Sequence, residues 1–304
     1  MRATELLHVL VLAGGDGTRL QELTRELTGA PIPKQYCRLL GERSLLEETV
    51  ERARHIVPPA RTVVVINHDH LPIVGEQLRG VPPHNIFVQP CGRDTGPGLL
   101  FALRQLAQRD RTTIVAMMPS DHYVGDNRAF AAHVEHAAQI VRAHPRKVAV
   151  LGIRPDRAEP GLGYIMPSTR VRGVANAFRV AAFQEKPTAE SARKLIENGA
   201  LWNSFVLVFR VDRMLELIEQ AAPCETARLR AATESPHDLA AGYRALAPWN
   251  FSTQVLARIT EHLVAVRVDD IHWSDWGTRE SIEQTLHALR RVPPWRTHAQ
   301  PHAA

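Results

Sequence analysis

The segment HVLVLAGGDGTRL, residues 8–20, joins an apolar run to a glycine-rich turn. Residues 8–12 are almost all apolar and the run ends at Gly14 and Gly15, which is typical of a strand buried on both faces of a parallel sheet. Glycine lets backbone N–H groups approach an anion with no Cβ in the way. The segment therefore predicts an α/β fold with a phosphate-binding loop. A plain strand and turn with an exposed Arg19 is the alternative.

The loop matches neither of the two common nucleotide-binding glycine motifs. Leu20 stands where the dinucleotide pattern has its third glycine, and no Gly-Lys-Ser or Gly-Lys-Thr follows as in a Walker A loop. Two cations do follow, Arg19 and then Lys34. Two cations after a glycine loop suit a polyphosphate ligand.

Outward from this loop, strand and helix patterns alternate over about 150 residues. The predicted strands lie at 62–66, 86–88, 113–118 and 148–152, with helices at 45–56, 71–78, 98–108 and 129–143. This alternation predicts a Rossmann-like, mostly parallel sheet flanked by helices.

The second half is less regular. It has strand patterns at 175–183, 202–210 and 263–268 and helix patterns at 189–198, 211–221, 238–246 and 278–291, and Ser252 is a candidate cap for a helix over 253–259. We expect one domain over 1–292, with a nucleotide-binding half (1–152) and a sugar-binding half (153–292), and a flexible tail over 293–304.

Composition narrows the possible functions. The chain has 304 residues, with 37 Lys and Arg against 32 Asp and Glu, and these basic residues form no dense block. We therefore expect a small anionic substrate rather than nucleic acid. No apolar run reaches the roughly 18 residues of a membrane helix, and residues 6–13 are too short and interrupted for a secretory signal. The three cysteines form no CxxC pair, so a reducing, cytoplasmic location is expected.

Further candidate site residues follow predicted strands. Gln89 offers both a donor and an acceptor to a nucleobase, and Arg93-Asp94-Thr95 follows it; an Asx turn at a helix start is the alternative. Asp121, in Pro-Ser-Asp-His, follows an apolar strand, where a carboxylate suits Mg²⁺ or caps a turn.

Three candidates lie in the second half. Asp275 precedes the last predicted helix, so helix capping and metal binding are rival interpretations. Glu185 and Lys186 form a pair that suits a polyol phosphate, although a solvated ion pair is the commoner fate of such dipeptides. Asn203, beside Trp202, suits sugar hydroxyl groups, whereas the tryptophan suits the core.

In this order along one chain, these motifs resemble those of the sugar-1-phosphate nucleotidyltransferases, over about residues 8–290. Pro-Ser-Asp-His and Arg-Asp-Thr point to the mannose branch of that family. The resemblance implies a glycosyltransferase-A-like domain that transfers a nucleotidyl group from an NTP, with GTP expected, to a sugar 1-phosphate, with mannose 1-phosphate expected, and releases pyrophosphate. Mg²⁺ or another divalent cation is the implied cofactor.

The resemblance also assigns roles to residues. It implies catalytic roles for Arg19, Lys34, Asp121 and Lys186, and metal binding by Asp121 and Asp275. The implied nucleotide-binding residues are Leu12, Ala13, Gly14, Gly15, Gly17, Thr18, Gln89, Arg93, Asp94, Thr95 and Ser120. The implied sugar-phosphate residues are Gly163, Tyr164, Glu185, Lys186 and Asn203.

The chain departs from the family pattern at several places. Phe205 fills a position that is usually glycine, residues 28–30 lengthen the stretch between Arg19 and Lys34, and residues 252–257 lack an acid that is common in the family. The β-helix or isomerase extension of many relatives is not seen after the last helix pattern. Two other functions stay open: transfer to a different sugar or from a different base, and a catalytically silent regulatory homologue. A homo-oligomer is possible, and neither nucleic acid nor a membrane is expected as a partner.

Overall fold

The structure, a computed structural model, describes residues 6–234 and 239–297. Its strands are β1 (Leu7–Leu12), β2 (Thr62–Asn67), β3 (Ile86–Gln89), β4 (Ile114–Pro119), β5 (Tyr123–Val124), β6 (Val148–Ile153), β7 (Gly163–Arg170), β8 (Ala177–Glu185), β9 (Leu201–Arg210), β10 (Leu263–Val268) and β11 (Trp273–Ser274). Its α-helices are α1 (Gln21–Thr28), α2 (Leu45–Arg54), α3 (Leu71–Val74), α4 (Thr95–Arg109), α5 (Asn127–Ala143), α6 (Ala189–Glu197), α7 (Val211–Ala221), α8 (Pro223–Glu234), α9 (Leu239–Arg244), α10 (Phe251–Gln254), α11 (Arg279–Ala288) and α12 (Pro294–Thr297).

A nine-stranded sheet crosses the described part of the molecule in the order β3-β2-β1-β4-β9-β6-β10-β8-β7, and β5 pairs separately with β11. The strands β1 to β4 are parallel, as are β6 and β10, whereas β9 is antiparallel to both β4 and β6. Strand β8 is antiparallel to its two neighbours. All strands of this sheet except β8 and β9 therefore point one way. The predicted α/β class with a mostly parallel sheet is confirmed.

Apolar layers cover both faces of the sheet because successive side chains of a strand point to opposite sides. Val9 packs with Val134 of α5 on one face. Leu10, the next residue, packs with Leu103 of α4 and Leu217 of α7 on the other. Helices on both faces explain why the inner strands are continuous apolar runs rather than alternating ones. Because helices cover both faces, a ligand site is expected in the loops at the carboxyl ends of the strands.

Some predicted boundaries differ from the structure. Ser252 does not cap a helix: it lies inside α10, where the Asn250 side chain accepts from Thr253 N at 3.2 Å. Helix α4 begins at Thr95, three residues before the predicted start, because Asp94 accepts from the Thr95 amide and caps it.

The segment expected to be a flexible tail includes the short helix α12, in which Trp295 is buried against α1 and α11. The rest of that tail, 298–304, lies outside the described residues. Among the helices that are described, none has both the length and the apolar character needed to cross a membrane.

Candidate functional site

Buried side-chain amides hold the glycine-rich loop that follows β1. Gln35 Nε2 donates to the carbonyl oxygens of Ala13, at 3.1 Å, and Gly15, at 2.6 Å. Asn67 Nδ2, at the end of β2, donates to the Gly14 carbonyl at 2.7 Å. Three successive loop carbonyls are therefore tied to the protein, and the loop is ordered before a ligand binds.

The shape of this loop requires glycine at two positions. A Cβ on Gly14 would lie 2.3 Å from Gln89 Nε2, closer than any real contact. Gly17 has a left-handed φ of 60°, and a Cβ there would lie 3.0 Å from the backbone nitrogen of Lys34. Larger residues at either position would displace the residues that face the loop.

The loop lines a cleft of about 270 Å³. The expected nucleotide-binding residues in its lining are Leu12, Gly14, Gly15, Gly17, Thr18, Gln89, Asp94 and Thr95. Asp16, Val65, Gly92, Gly98 and Leu99 complete the lining. The carboxyl ends of β1 and β3 and the first turn of α4 thus form one concave surface, as expected for a ligand site in an open α/β sheet.

Three of the expected nucleotide-binding residues lie outside this lining. Ala13 is buried behind the loop. The Arg93 guanidinium turns away and donates to the carbonyl of Arg244, at the end of α9. Ser120 is buried, and its amide donates to the Leu12 carbonyl at 3.1 Å. Ala13 and Ser120 therefore support the loop from behind.

A second cavity, of about 240 Å³, adjoins the first and shares Gly17 and Thr18 with it. Its other lining residues are Arg19, Leu20, Lys34, Asp121, Trp276 and Gly277. The glycine loop therefore lies between two adjoining compartments. Gln89 and the start of α4 line the first, and Arg19, Lys34 and Asp121 line the second.

Lys34 lies at the centre of the second compartment, but the protein uses all its donors. Its side chain is buried, and Nζ lies 2.7 Å from the Asp275 carbonyl oxygen, 2.8 Å from that of Trp276 and 3.2 Å from Asp121 Oδ2. An ammonium group has three N–H donors. Lys34 therefore brings Asp121 and the chain around 275–276 together, which the sequence did not indicate.

Arg19 differs from Lys34 in both its exposure and its hydrogen bonding. It is exposed, and within the described ranges its guanidinium makes no hydrogen bond or ion pair. Nη1 lies 3.2 Å from the point that a Cβ on Gly277 would occupy and 3.9 Å from the corresponding point at Gly161. An unpaired cation at the mouth of this cavity is available to an anionic ligand.

Asp121 stays ionised in this environment. Burial favours its neutral form, but the ammonium of Lys34 and the imidazole of His122 outweigh burial and lower the pKa of the carboxyl. Burial also lowers the pKa of His122, whose Nε2 lies 3.7 Å from Asp121 Oδ1. Asp121 therefore contributes a negative charge to the cavity that the unpaired Arg19 also lines.

The residues at this end fit a divalent cation. Asp275 does not cap α11, because the Thr278 side chain accepts from Ser281 N and is the cap. Both Asp121 and Asp275 belong to chain segments that Lys34 holds together. Mg²⁺ is usually bound through one or two carboxylates plus substrate phosphates, so two acidic ligands suffice. The residues that the structure describes hold no group of three or more acidic, His or Cys ligands.

The expected sugar-phosphate residues also come together. A Cβ on Gly163 would lie 2.6 Å from Glu185 Oε2 and 3.4 Å from Asn203 Cβ, so only glycine leaves room between β8 and β9. Lys186 is exposed, with Nζ 3.9 Å from Glu185 Oε1. The Tyr164 ring is buried and its hydroxyl contacts the backbone of Glu159, which leaves only its backbone for a ligand.

Burial raises the pKa of Glu185, and the negative charge of Asp94 adds to this, whereas the ammonium of Lys186 opposes it. Ser252, in the segment that lacks the family's usual acid, is buried in α10. Residues 28–30 are another departure from the family pattern. Within them, Gly29 ends α1 with a left-handed φ of 79°.

Several candidate positions have a strained backbone. Seven non-glycine residues of the described ranges have positive φ. Asp94 at 67° and Trp276 at 48° line the two cavities, and Lys186 at 45° and Phe205 at 57° adjoin the expected sugar-phosphate residues Glu185 and Asn203. Each such residue costs on the order of 1 kcal/mol or more, and proteins retain that strain chiefly at functional positions. The Phe205 value gives a physical reason for the family's glycine at this position.

Sequence reasoning missed the side chains that support the loop. Asn67 is the clearest case. The predicted strand ended at 66, one residue too early to include it. The available signal was that a polar residue ends β2 just as Gln89 ends β3. Gln35 directly follows Lys34 and had no local signal. Tyr243, whose hydroxyl donates to Gln89 Oε1 at 2.9 Å, lies 154 positions from its partner.

Comparison with known proteins identifies the chain's family. Residues 8–291 match the family model described as nucleotidyl transferase. The chain belongs to the nucleotidyl transferase family. This confirms the resemblance inferred from the motifs, and the glycosyltransferase-A-like class of the fold.

Named relatives narrow the resemblance within the nucleotidyl transferases. The chain is 35% identical over 230 residues to mannose-1-phosphate guanylyltransferase of Escherichia coli (strain K12), covering 73% of this chain and 46% of that protein. It is 35% identical over 217 residues to Xanthan biosynthesis protein XanB of Xanthomonas campestris pv. campestris (strain B100), covering 70% of this chain and 44% of that one. The matched part thus spans less than half the length of these curated relatives.

Among solved structures, the nucleotidyl transferase domain is similar to a mannose-1-phosphate geranyltransferase from Thermus thermophilus. The TM-score is 0.79 with 29% sequence identity, and the match covers 92% of this chain and 79% of that one. The likeness therefore extends over both halves of the chain.

Proposed function

We propose that this nucleotidyl transferase joins GTP and mannose 1-phosphate to give GDP-mannose and pyrophosphate. The observation that carries the proposal is the cavity lined by both the unpaired Arg19 and the ionised Asp121, which adjoins the cleft of Gln89 at the glycine loop. The choice of GTP and mannose is supported by the relatives, several of which are named mannose-1-phosphate guanylyltransferase.

The proposed reaction needs no nucleophilic side chain. The phosphate oxygen of the sugar is already an anion at neutral pH, so the barrier arises from bringing two anions together and from charge on the departing pyrophosphate. Positioning and electrostatic neutralisation lower such a barrier. The residue types at the cleft, which are glycines, two cations and carboxylates, suit that task.

Each part of the site has a proposed role. The loop amides of Gly14, Gly15 and Gly17 bind the nucleotide phosphates, and Arg19 binds the triphosphate and the charge that develops on it. Lys34 holds the Asp121 carboxylate and the backbone carbonyls of Asp275 and Trp276 in place, and it adds positive charge. Asp121 and Asp275 would hold Mg²⁺, which when bound neutralises phosphate charge in the transition state.

In the sugar half, Lys186 binds the phosphate of the sugar. Glu185 accepts hydrogen bonds from the hydroxyl groups of the sugar, and Asn203 both donates to them and accepts from them. The backbone of Gly163 and Tyr164 lines the same sugar site. The three unpaired cysteines, Cys37, Cys91 and Cys224, support a proposed location in the reducing cytoplasm.

The decisive test measures pyrophosphate release with Mg²⁺, crossing GTP, ATP, UTP, CTP and dTTP against mannose, glucose and other sugar 1-phosphates. Turnover confined to GTP with mannose 1-phosphate is expected. Turnover with another pair would keep the mechanism and change the substrates. Nucleotide binding without turnover of any pair would favour a regulatory role.

Asp121→Asn provides the matched test of the acidic site. We expect kcat to fall by roughly 100-fold or more, because the variant removes the charge that holds the metal, while the protein stays folded. Asp126→Asn is the control, since Asp126 caps α5 and asparagine caps a helix equally well. Unchanged turnover in the Asp121 variant would remove this residue from the metal site.

A further inference from the structure

His70 is a buried histidine that the proposed mechanism does not use. It lies in the short turn after β2, and only 5% of its surface is exposed. Its two ring nitrogens contact different parts of the chain. Nδ1 lies 3.0 Å from the hydroxyl of Tyr36, and Nε2 lies 3.2 Å from Oδ1 of Asp16 in the glycine loop. The imidazole therefore bridges the glycine loop and the segment around Tyr36.

Asp16 places a negative charge in the loop that is proposed to bind phosphates. Within the described residues, the backbone N–H groups of residues 14–17 have no protein acceptor, so they are available to an anion. The Asp16 side chain is 58% exposed and lines the same cleft, where Oδ2 lies 2.9 Å from the point that a Cβ on Gly92 would occupy. An uncompensated carboxylate at this place would repel the phosphates of a nucleotide.

One neighbour of Asp16 is able to compensate this charge. In the described part of the chain, two side chains contact Oδ1 of Asp16: Asn67, through Nδ2 at 3.1 Å, and His70. The amide of Asn67 is neutral and its other N–H bond is used by the Gly14 carbonyl, at 2.7 Å. An imidazole becomes a cation when it gains a proton. His70 is therefore the contact that can neutralise Asp16.

The contacts of His70 suit a doubly protonated ring. Burial raises the pKa of the Tyr36 hydroxyl, so Tyr36 keeps its single proton. That hydroxyl lies 2.9 Å from the carbonyl oxygen of Ala13, which can only accept, as well as 3.0 Å from Nδ1 of His70. When Tyr36 donates to Ala13, its oxygen accepts from Nδ1, and Asp16 accepts from Nε2. Both N–H bonds of an imidazolium then have an acceptor.

Counting protons shows what a neutral ring would lack. The three contacts, Tyr36 with Ala13, Tyr36 with His70 and His70 with Asp16, need three protons. A neutral imidazole and a tyrosine hydroxyl supply two, so one contact would bring together two groups with no proton between them. An imidazolium supplies the third proton. The hydroxyl of Tyr36 can turn to either acceptor, so the ring can gain or lose that proton without a change in the fold.

We propose that His70 is a positioning residue that takes up a proton when a polyphosphate binds to the glycine loop. The proton comes from solvent and adds to a ring nitrogen, and the resulting imidazolium neutralises Asp16. The loop then receives the phosphates of a nucleoside triphosphate without an opposing charge. His70 acts through Asp16 and touches no reacting atom. This inference rests on the proposed binding of a nucleoside triphosphate at this loop.

Two titratable groups face the His70 ring, Asp16 from the loop and Tyr36 from the segment before α2. The neighbours of His70 in its own turn are exposed and pair with each other, with 3.7 Å between His68 Nδ1 and Asp69 Oδ1. Other elements of the described residues make no ion pair or hydrogen bond with the ring. The charge at this point of the cleft therefore depends on the His70–Asp16 pair.

The test measures nucleotide binding as a function of pH. Isothermal titration calorimetry gives the Kd of GTP for the wild type, His70→Gln, Asp16→Asn and the double variant, at about pH 5.5 and about pH 8.5, on either side of the range in which imidazoles titrate. The protonation of GTP itself is the same for every protein, so it cancels when a variant is compared with the wild type.

The variants are expected to converge with the wild type at opposite ends of this range. His70→Gln keeps the charge of Asp16 uncompensated, so it should bind GTP about fivefold more weakly than the wild type at the lower pH and equally at the higher one. Asp16→Asn has no charge to compensate, so it should equal the wild type at the lower pH and bind about fivefold more tightly at the higher one. The double variant should recover the affinity that His70→Gln loses.

His68→Gln is the matched control, because it makes the same substitution at an exposed histidine two positions away. Its GTP affinity should follow that of the wild type at both pH values. If His70→Gln does not fold, Asp16→Asn still tests the inference, since its side chain is exposed and the change removes only the charge.

Two results would overturn the inference: the same change of GTP affinity with pH in the wild type and in Asp16→Asn, or no recovery of affinity in the double variant. A lack of turnover in a protein that shows the expected pH-dependent binding would count against the proposed function alone. Normal turnover without these differences in binding would count against the role of His70 alone.

Discussion

At the scale of single residues, Glu185 shows a conflict between stability and function. Burial raises the pKa of its carboxyl, so ionising it at neutral pH has an unfavourable term that a neutral side chain would not have. Asp94 adds a second negative charge nearby. Functional sites commonly keep such destabilising groups because a ligand needs them.

Glu185→Gln is therefore expected to stabilise the protein in a pH-dependent way. A raised folded-state pKa means that the stabilising contribution of Glu185 is present below its unfolded pKa and is lost as pH rises through the folded pKa. The Tm of the variant should match that of the wild type near about pH 4 and exceed it near about pH 7. Differential scanning fluorimetry across this range measures the difference.

Glu190→Gln is the control for this series, because Glu190 is an exposed residue of α6 paired with Lys194. A Tm difference between wild type and Glu185→Gln that does not vary with pH would contradict the interpretation of Glu185 as a partly buried carboxyl with a raised pKa.

At the scale of elements, β9 is an interrupted strand. Its pairing with β6 shifts register between Val150 and Gly152. Ser204 Oγ donates to the Leu151 carbonyl at 2.6 Å, and Asn203 Oδ1 accepts from Phe205 N at 3.0 Å. Side chains thus replace the missing ladder bonds. The left-handed φ of Phe205 is part of this bulge, and Cβ of Asn203 lies beside Gly163 of β7.

Two variants of Phe205 separate ring packing from backbone strain. Both Phe205→Ala and Phe205→Gly lose the contact with Phe251, but only glycine relieves the left-handed backbone. We expect the glycine variant to be more stable than the alanine variant by about 1 kcal/mol in urea unfolding. In an ordinary strand the order is reversed, by about 0.5–1 kcal/mol.

The matched control for this comparison is the same pair of substitutions at Phe178, in β8, which has no left-handed backbone. There alanine should be the more stable variant. If alanine is also more stable at position 205, the bulge is not strained.

The positions of strands and helices were predicted well where the sequence pattern that indicates them is local. Strands β1, β2 and β4 are apolar runs between turns, and their positions in the sequence agree with the structure within one or two residues. Ser252 failed as a cap because Asn250, two residues earlier, competes for the same helix start. The sequence pattern contained both candidates and no means to choose between them.

The site was predictable only in its outline. The glycine loop and Gln89 follow strands, so their meeting at one sheet edge follows from topology. The role of Lys34 does not, because its partners Asp275 and Trp276 lie 241 and 242 positions away. The contact of Arg93 was equally unpredictable, since its partner Arg244 belongs to the distant helix α9. Distant contacts of this kind depend on packing that no local pattern encodes.

At the scale of the whole molecule, the two halves of the sequence share one sheet. Strand β9 comes from the second half, yet it lies between β4 and β6 of the first. It pairs with β4 from Ile114↔Arg210 to Met117↔Leu207. Removing β9 would expose the edges of two buried strands at once. The halves are therefore expected to unfold together.

Reporters in each half test this cooperativity. All five tryptophans lie at or after Trp202, whereas the backbone amides of β2, which pairs with β1 and β3, report on the first half. Tryptophan fluorescence and the loss of hydrogen-exchange protection of the β2 amides should show the same urea midpoint. Separate midpoints would mean two independent units.

The position of β9 also bears on how the chain acquires its fold during synthesis. Roughly 80 residues separate the end of β4 from the start of β9. At about 5–20 residues per second, a ribosome needs roughly 4–16 s to make that stretch. Throughout this interval the emerging first half has an unpaired inner strand. Chaperone binding at that edge, and aggregation when chaperones are scarce, follow from the order in which the strands leave the ribosome.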